Sequence, residues 1–263
     1  MKTRVITAIV ALAVFIPLLI IGGVPFNLLV FAMGIVGMAE FLIMKKELLV
    51  SMEALLSCLA VAVLLAPGQV QKFIPASISV LDVFYIIALA MLVLTVVSKN
   101  KFSFDDAAVS VLGAIYAGMG FHLMMQARTT SLWMILYALL IVWLTDSGAY
   151  LIGRKIGKNK LAPHISPNKT WEGSIGGTVA AVIIVGIYLV VAPIKLAYSL
   201  PIMLGLTLVF SIGGQFGDLI ESAFKRYYGV KDSGKILPGH GGILDRFDSL
   251  LFVLPLMHLV GLF

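Results

Sequence analysis

The sequence predicts an all-α polytopic membrane protein, and three observations lead there. Of 263 residues, 60% are hydrophobic and only 12% are charged, with a mean hydropathy of +1.07. A soluble domain is nearer half apolar and about a quarter charged, so this chain carries more apolar surface than one core hides. The apolar residues also fall in long runs, and Lys and Arg gather between alternate runs. Laid out as spans of roughly 20 residues, the chain leaves no room for a separate soluble catalytic domain. Any chemistry must therefore sit at helix ends and in loops.

The runs predict about nine transmembrane helices, near residues 5–22, 26–44, 49–66, 78–97, 107–125, 132–152, 174–192, 200–220 and 248–263. The first follows Lys2 and Arg4 but lacks a small-x-small cleavage site, so it reads as a retained span rather than a signal peptide. The third holds Cys58, the single cysteine, which excludes an internal disulfide framework and a Cys-rich metal cluster. The fifth carries His122, Met119, Met124 and Met125, which read as packing or lipid-facing residues. Gly34, Gly37, Gly113, Gly118 and Gly120 suit close helix packing within the chain. The sixth run ends near Asp146, the eighth runs into Asp218, and the ninth is short, with Asp248 at its start and His258 within it. Residues 1–130 thus form an N-terminal set of about five spans. Residues 131–263 form a catalytic set with cytoplasmic loops at 153–173 and 221–248.

Charge sets the orientation. Of the 19 Lys and Arg, all except Lys72, Arg128 and Lys195 fall at the N-terminus and in every second loop after it. Short loops rich in Lys and Arg stay in the cytoplasm, so nine spans place the N-terminus inside and the C-terminus outside. The same parity brings Asp146, Glu172, Asp218, Asp245 and Asp248 toward the cytoplasmic face. An ionised side chain deep in a bilayer costs about 2.5–3.5 kcal/mol, so such residues face a partner or a watery cavity. Solvated helix ends are the bland alternative for any single acid.

Spacing sharpens the case. Asp218, Glu221, Ser222 and Lys225 stand at i, i+3, i+4 and i+7 on one helical stripe, and Asp245 and Asp248 are likewise i, i+3. Carboxylates brought together repel unless protonated or bridged by cations. Oxygen ligands with almost no His or Cys nearby suit a hard ion such as Mg2+. The alternative is a structural ion network with Lys225, Arg226 and Arg246.

Basic residues supply the other half. In Ser166-Pro167-Asn168-Lys169-Thr170-Trp171-Glu172-Gly173, a proline turn precedes the seventh span, with Asn168 or Thr170 available as its N-cap. A helix N-terminus favours phosphate, and Lys169 adds a full charge to it. Trp171 reads as an interfacial aromatic. In the long loop, His240-Gly241-Gly242 follows Pro238 and Gly239, a backbone with little side-chain cover that suits close approach to a phosphate or ribose. The chain has no GxxxxGK[ST], GxGxxG or HExxH motif.

These residues resemble a family signature. It comprises Ser222-Ala223-Phe224-Lys225-Arg226, then after four residues Lys231-Asp232-Ser233-Gly234, then after two more Leu237-Pro238-Gly239-His240-Gly241-Gly242-Ile243-Leu244-Asp245-Arg246-Phe247-Asp248. The pattern is similar to that of the CDP-diacylglycerol synthase, or phosphatidate cytidylyltransferase, family. The 166–173 stretch resembles the family's second motif. The resemblance implies a nine-helix homodimer in the inner (plasma) membrane with its active site facing the cytoplasm. It implies the reaction of CTP with phosphatidic acid to give CDP-diacylglycerol and pyrophosphate in phospholipid biosynthesis, dependent on Mg2+ and a second cation such as K+. Membrane lipid is implied as a partner and nucleic acid is not.

On that footing Asp218, Asp245 and Asp248 are expected to hold the metal. Asp146 is a further ligand or the hydrogen-bonded neighbour of one, and Glu221 and Ser222 orient the cations. Lys169, Lys225 and Arg226 would neutralise phosphates, and Arg246 would orient the flanking carboxylates. Ser166, Asn168, Thr170, Glu172 and Ser222 are substrate-binding candidates, with His240, Gly241 and Gly242 as a nucleotide loop. Two rival readings are a CTP-dependent lipid kinase, in which cytidine leaves as CDP, and a secondary transporter. Transporters commonly show inverted repeats and helices broken at mid-bilayer, neither of which is evident here.

Overall fold

Every apolar run identified in the sequence is helical over most of its length. The structure, a computed structural model, describes residues 2–263, with side chains from Arg4 onward. Lys2, counted above among the inner charges, lies outside the described side chains. The helices are α1 (Lys2–Ile21), α2 (Gly23–Met44), α3 (Met52–Leu65), a single turn α4 (Pro67–Val70), α5 (Val80–Val97), α6 (Phe104–Thr130), α7 (Leu132–Ile156), α8 (Trp171–Val191), α9 (Leu200–Tyr227) and α10 (Leu244–Leu259). Among the described residues, seven helices are long and apolar enough to cross a membrane: α1, α2, α5, α6, α7, α8 and α9. α3 has 14 residues and α10 has 16. At about 1.5 Å per residue both fall short of a hydrocarbon core of about 30 Å.

Caps explain several boundaries. α3 is shorter than its apolar run because Ser51 caps it, its hydroxyl accepting the Ala54 N–H at 3.1 Å. Ser79 and Asp82 form a reciprocal capping box that opens α5. Ser131 accepts the Trp133 N–H and separates α6 from α7 by one residue. α6 runs beyond the expected end at residue 125 because nothing in 126–130 is a glycine or proline. α9 likewise outlasts its apolar part and carries its polar stripe to Tyr227, shortening the long loop. The expected loop 153–173 contains a small antiparallel sheet, β1 (Lys160–Ala162) and β2 (Ser166–Thr170), with Lys160 opposite Thr170 and Ala162 opposite Ser166.

The chain divides into two compact units, Met1–Met125 with Asp232–Leu244, and Gln126–Lys231 with Asp245–Phe263. The segment 232–244, assigned by sequence to the C-terminal half, thus groups with the first unit. In that unit Phe26, Met38, Phe41, Phe121 and Met124 are buried. Gly34 faces Leu65, Gly113 faces Phe41 and Gly118 faces Leu64, so these glycines serve packing within the chain as expected. The His122 ring meets the Leu65 carbonyl at 3.1 Å, a structural contact. Lys45 lies 2.7 Å from Asp106 and 3.7 Å from Glu47.

In the second unit the core includes Ile135, Tyr137, Val185, Phe210 and Val253. A ladder of buried polar groups crosses it: Tyr137 with Thr207 at 2.8 Å, Thr145 with Ser211 at 2.7 Å, and Ser211 and Gln215 both donating to Thr178. Where there is no water, polar groups must satisfy one another, and here they do. Outward faces are apolar instead. Ile9, Ile20, Val93, Val97, Ile183 and Val190 are all exposed, the pattern of helices whose solvent is lipid.

Candidate active site

The cluster is built on the second unit, where α9 is its spine. Helical spacing aligns Asp218, Glu221, Ser222 and Lys225 as expected, and α9 stays helical through all four. Lys225 pairs with Glu221 one turn back and with Asp245 in the first turn of α10, Nζ to Oδ1 2.7 Å. Glu221 is completely buried, so the lysine is the counter-charge that makes its ionised form tolerable. The Ser222 hydroxyl donates to Asp218 Oδ1 at 3.3 Å.

The 166–173 stretch delivers Lys169. Thr170 is the N-cap of α8, its hydroxyl accepting the Gly173 N–H at 3.2 Å; Asn168 lies exposed in β2. With the helix start fixed in this way, Lys169 Nζ meets Asp218 Oδ2 at 2.7 Å. Glu172 turns toward the preceding loop, where it accepts the N–H groups of Lys158 and Asn159 and the Asn159 side-chain amide at 2.7 Å. Ser166 pairs with Ala162 in the sheet. Trp171 is exposed.

Glycines bring the helices close enough for the acids to meet. A Cβ on Gly217 would lie 2.7 Å from the Asp248 carbonyl oxygen, so α10 crosses α9 backbone to backbone beside Asp218. A Cβ on Gly173 would lie 2.6 Å from the Ala149 carbonyl oxygen, which closes α8 onto α7 near Asp146. Asp146, Asp218 and Asp248 consequently stand within electrostatic reach of one another, with Lys169 and Arg246 near Asp146 and Lys225 near Asp248. Asp248 accepts the Ser249 N–H at 2.7 Å. Among the described residues neither Asp146 nor Asp248 has an ion pair.

Among the described residues Arg226 has no ion pair with the acids. Its guanidinium donates to the carbonyls of Ile165 at 3.2 Å and Val230 at 3.3 Å, which braces the sheet's turn and the end of α9. Arg246 is exposed. Among the described residues no three His, Cys, Asp or Glu side chains converge as a ready metal site, and the two lysines stand on Asp218 and Asp245. The donor chemistry still fits a hard cation, since two carboxylates without an ion pair among the described residues stand near a third that has one.

The glycine-rich segment belongs to the first unit. There the Leu237 N–H bonds the Gly241 carbonyl at 3.0 Å and the His240 N–H bonds the Leu237 carbonyl at 2.8 Å, folding 237–241 into a tight turn. Gly239 and Gly241 have φ of 77° and 86°, values that favour glycine. The Thr7 hydroxyl donates to the Pro238 carbonyl at 2.9 Å. Glu40, buried on α2, belongs to none of the motifs above; its signal in the sequence is a carboxylate within an apolar run.

The sequence matches the Cytidylyltransferase family model over residues 2–263. The chain belongs to the cytidylyltransferase family. It is similar to the phosphatidate cytidylyltransferase of Bacillus subtilis, 47% identical over 267 residues covering 100% of this chain and 98% of the relative. Proteins of the same name from Staphylococcus haemolyticus and Staphylococcus aureus are each 45% identical, covering 99% of this chain and 98% of the relative. In this family member, lysines already pair with carboxylates at short range.

Proposed function

We propose that this protein is a phosphatidate cytidylyltransferase, which transfers CMP from CTP to phosphatidic acid and releases pyrophosphate, giving CDP-diacylglycerol for phospholipid synthesis. The observation that carries this reading is the full-length likeness, at 45% and 47% identity, to proteins of that name. The cluster of lysines and carboxylates in the second unit supplies its chemistry.

A phosphate monoester has a second pKa near 6 and is already largely dianionic at neutral pH. It therefore needs alignment and charge neutralisation more than a strong base. A phosphatidate oxygen attacks the α-phosphorus of CTP, and the bond from that phosphorus to the bridging oxygen of the β-phosphate breaks, releasing pyrophosphate. Lys169 and Lys225 leave their carboxylates to neutralise phosphate oxygens, and Arg226 adds charge beside the sheet. Asp218, Asp245 and Asp248, with Asp146 and Glu221, are the residues that would hold Mg2+ and a second cation such as K+. A bound Mg2+ would neutralise charge on the transferring phosphoryl group. His240, Gly241 and Gly242, which shortly precede Asp245 in the chain, form the nucleotide loop.

We further propose nine crossings, with flanking apolar residues such as Leu49, Val50, Val260 and Leu262 extending the short helices α3 and α10, the N-terminus and the reacting groups on the cytoplasmic side of the bacterial inner membrane, and a homodimer. The charge distribution supports the orientation, because the loops rich in Lys and Arg are those that carry the site. Mass analysis of the lipid formed from phosphatidic acid, CTP and Mg2+ tests the activity. A product gaining CMP is expected; in a parallel mixture with an isoprenoid alcohol in place of phosphatidic acid, an alcohol gaining only a phosphate would instead make this a CTP-dependent lipid kinase.

A further inference from the structure

We infer that Glu40 is a positioning residue for the nucleotide loop, its buried carboxylate clasping both ends of segment 233–244 so that His240, Gly241 and Gly242 are held in one shape. The inference rests on the proposed role of that loop in binding CTP.

Glu40 is 3% exposed and is the one ionisable residue of α2. Its Oε1 accepts the Ile243 N–H at 2.8 Å, and its Oε2 accepts the Leu244 N–H at 2.9 Å and the Ser233 hydroxyl at 3.1 Å. One carboxylate therefore ties Ser233, at the start of the segment, to Ile243 and Leu244 at its end. Hydrogen bonds to an ionised acceptor are the strong class, and burial keeps water from competing for them.

Two glycines give independent support. A Cβ on Gly234 would lie 2.6 Å from Glu40 Oε1, and one on Gly242 would fall onto both Glu40 oxygens and the Ser233 hydroxyl. These positions are shaped by the acid. Between the tied ends, the turn at 237–241 is closed by its own backbone bonds, so fixing the ends fixes where the turn points. The carboxylate oxygens face backbone N–H groups, which suits a residue that shapes the loop rather than one that touches an anionic nucleotide.

The test uses the full-length wild type, Glu40→Ala and Glu40→Gln in detergent. Glutamine keeps the shape of the side chain but has a single acceptor oxygen, so one N–H loses its partner while the fold is preserved. Amide hydrogen exchange over 233–244 is expected to speed up by about tenfold or more in Glu40→Ala, and by less in Glu40→Gln. KM for CTP is expected to rise by roughly 10- to 100-fold with KM for phosphatidate within about twofold of wild type. Unchanged exchange at Ile243 and Leu244 in both variants overturns the inference, as does an equal rise in both KM values, which marks a merely structural role. A wild type that forms no CDP-diacylglycerol would defeat the functional reading instead. The exchange measurement needs no substrate and still upholds or overturns the clasp.

Discussion

Lys169 and Asp218 meet at 2.7 Å although they belong to different elements, the lysine at the end of β2 and the aspartate on α9. Each is about a quarter exposed, so the pair is neither locked in the core nor freely solvated. This is the arrangement expected of a lysine that can exchange a carboxylate for a phosphate. Lys169→Met should lower turnover by about 10²- to 10³-fold, the usual effect of removing one charge-stabilising donor, with little change in melting temperature. Initial rates and thermal unfolding in detergent check both halves.

Asp248 should show stability and activity moving in opposite directions. Its carboxylate has no ion pair among the described residues and faces Asp146 and Asp218. Asp248→Asn removes that repulsion, so the metal-free protein should melt at an equal or higher temperature while turnover is lost. Added Mg2+ should raise the melting temperature of the wild type more than that of the variant.

Lys225 serves two buried acids at once, Glu221 and Asp245. Lys225→Met removes a counter-charge from both acids, and breaking a buried pair by removing one partner costs about 3–5 kcal/mol. Pairing it with Glu221→Gln should restore part of that stability and none of the activity. Denaturation of the single and double variants, beside their turnover, measures the coupling.

Gly217 bears no functional group, yet it sets the distance between α9 and α10. Its substitution by alanine would press a methyl against the Asp248 carbonyl oxygen at 2.7 Å, and over-packing of this kind costs about 1–3 kcal/mol. Gly217→Ala should therefore lower kcat by moving Asp248 away from Asp218, while the amount of protein recovered from the membrane remains close to wild type. A kcat equal to wild type would separate helix spacing from catalysis.

The helices were legible in the sequence because lipid demands long apolar runs, and the stripe of Asp218, Glu221, Ser222 and Lys225 because helical period is local. Thr170 could be anticipated as a cap for the same reason. What stayed hidden depended on distant partners or on very short elements. β1 has three residues and β2 contains Pro167, so neither offers an alternation to detect. Arg226 also donates to the Ile165 and Val230 carbonyls, contacts that its helical spacing does not announce. Glu40 bonds a backbone N–H 203 positions away, a relationship that no local pattern encodes. α3 is shorter than the apolar run at 49–66 because Ser51, inside that run, caps the N-terminus of the helix.

The decisive experiment supplies CTP labelled at the α-phosphate to wild type and Asp218→Asn, each with phosphatidic acid, with and without Mg2+, and follows the label into the lipid phase. Transfer by the wild type only when Mg2+ is present, and none by Asp218→Asn despite normal folding, is expected if the acid and lysine cluster carries cytidylyl transfer. Transfer by Asp218→Asn at the wild-type rate, or no transfer by either protein, would overturn that assignment.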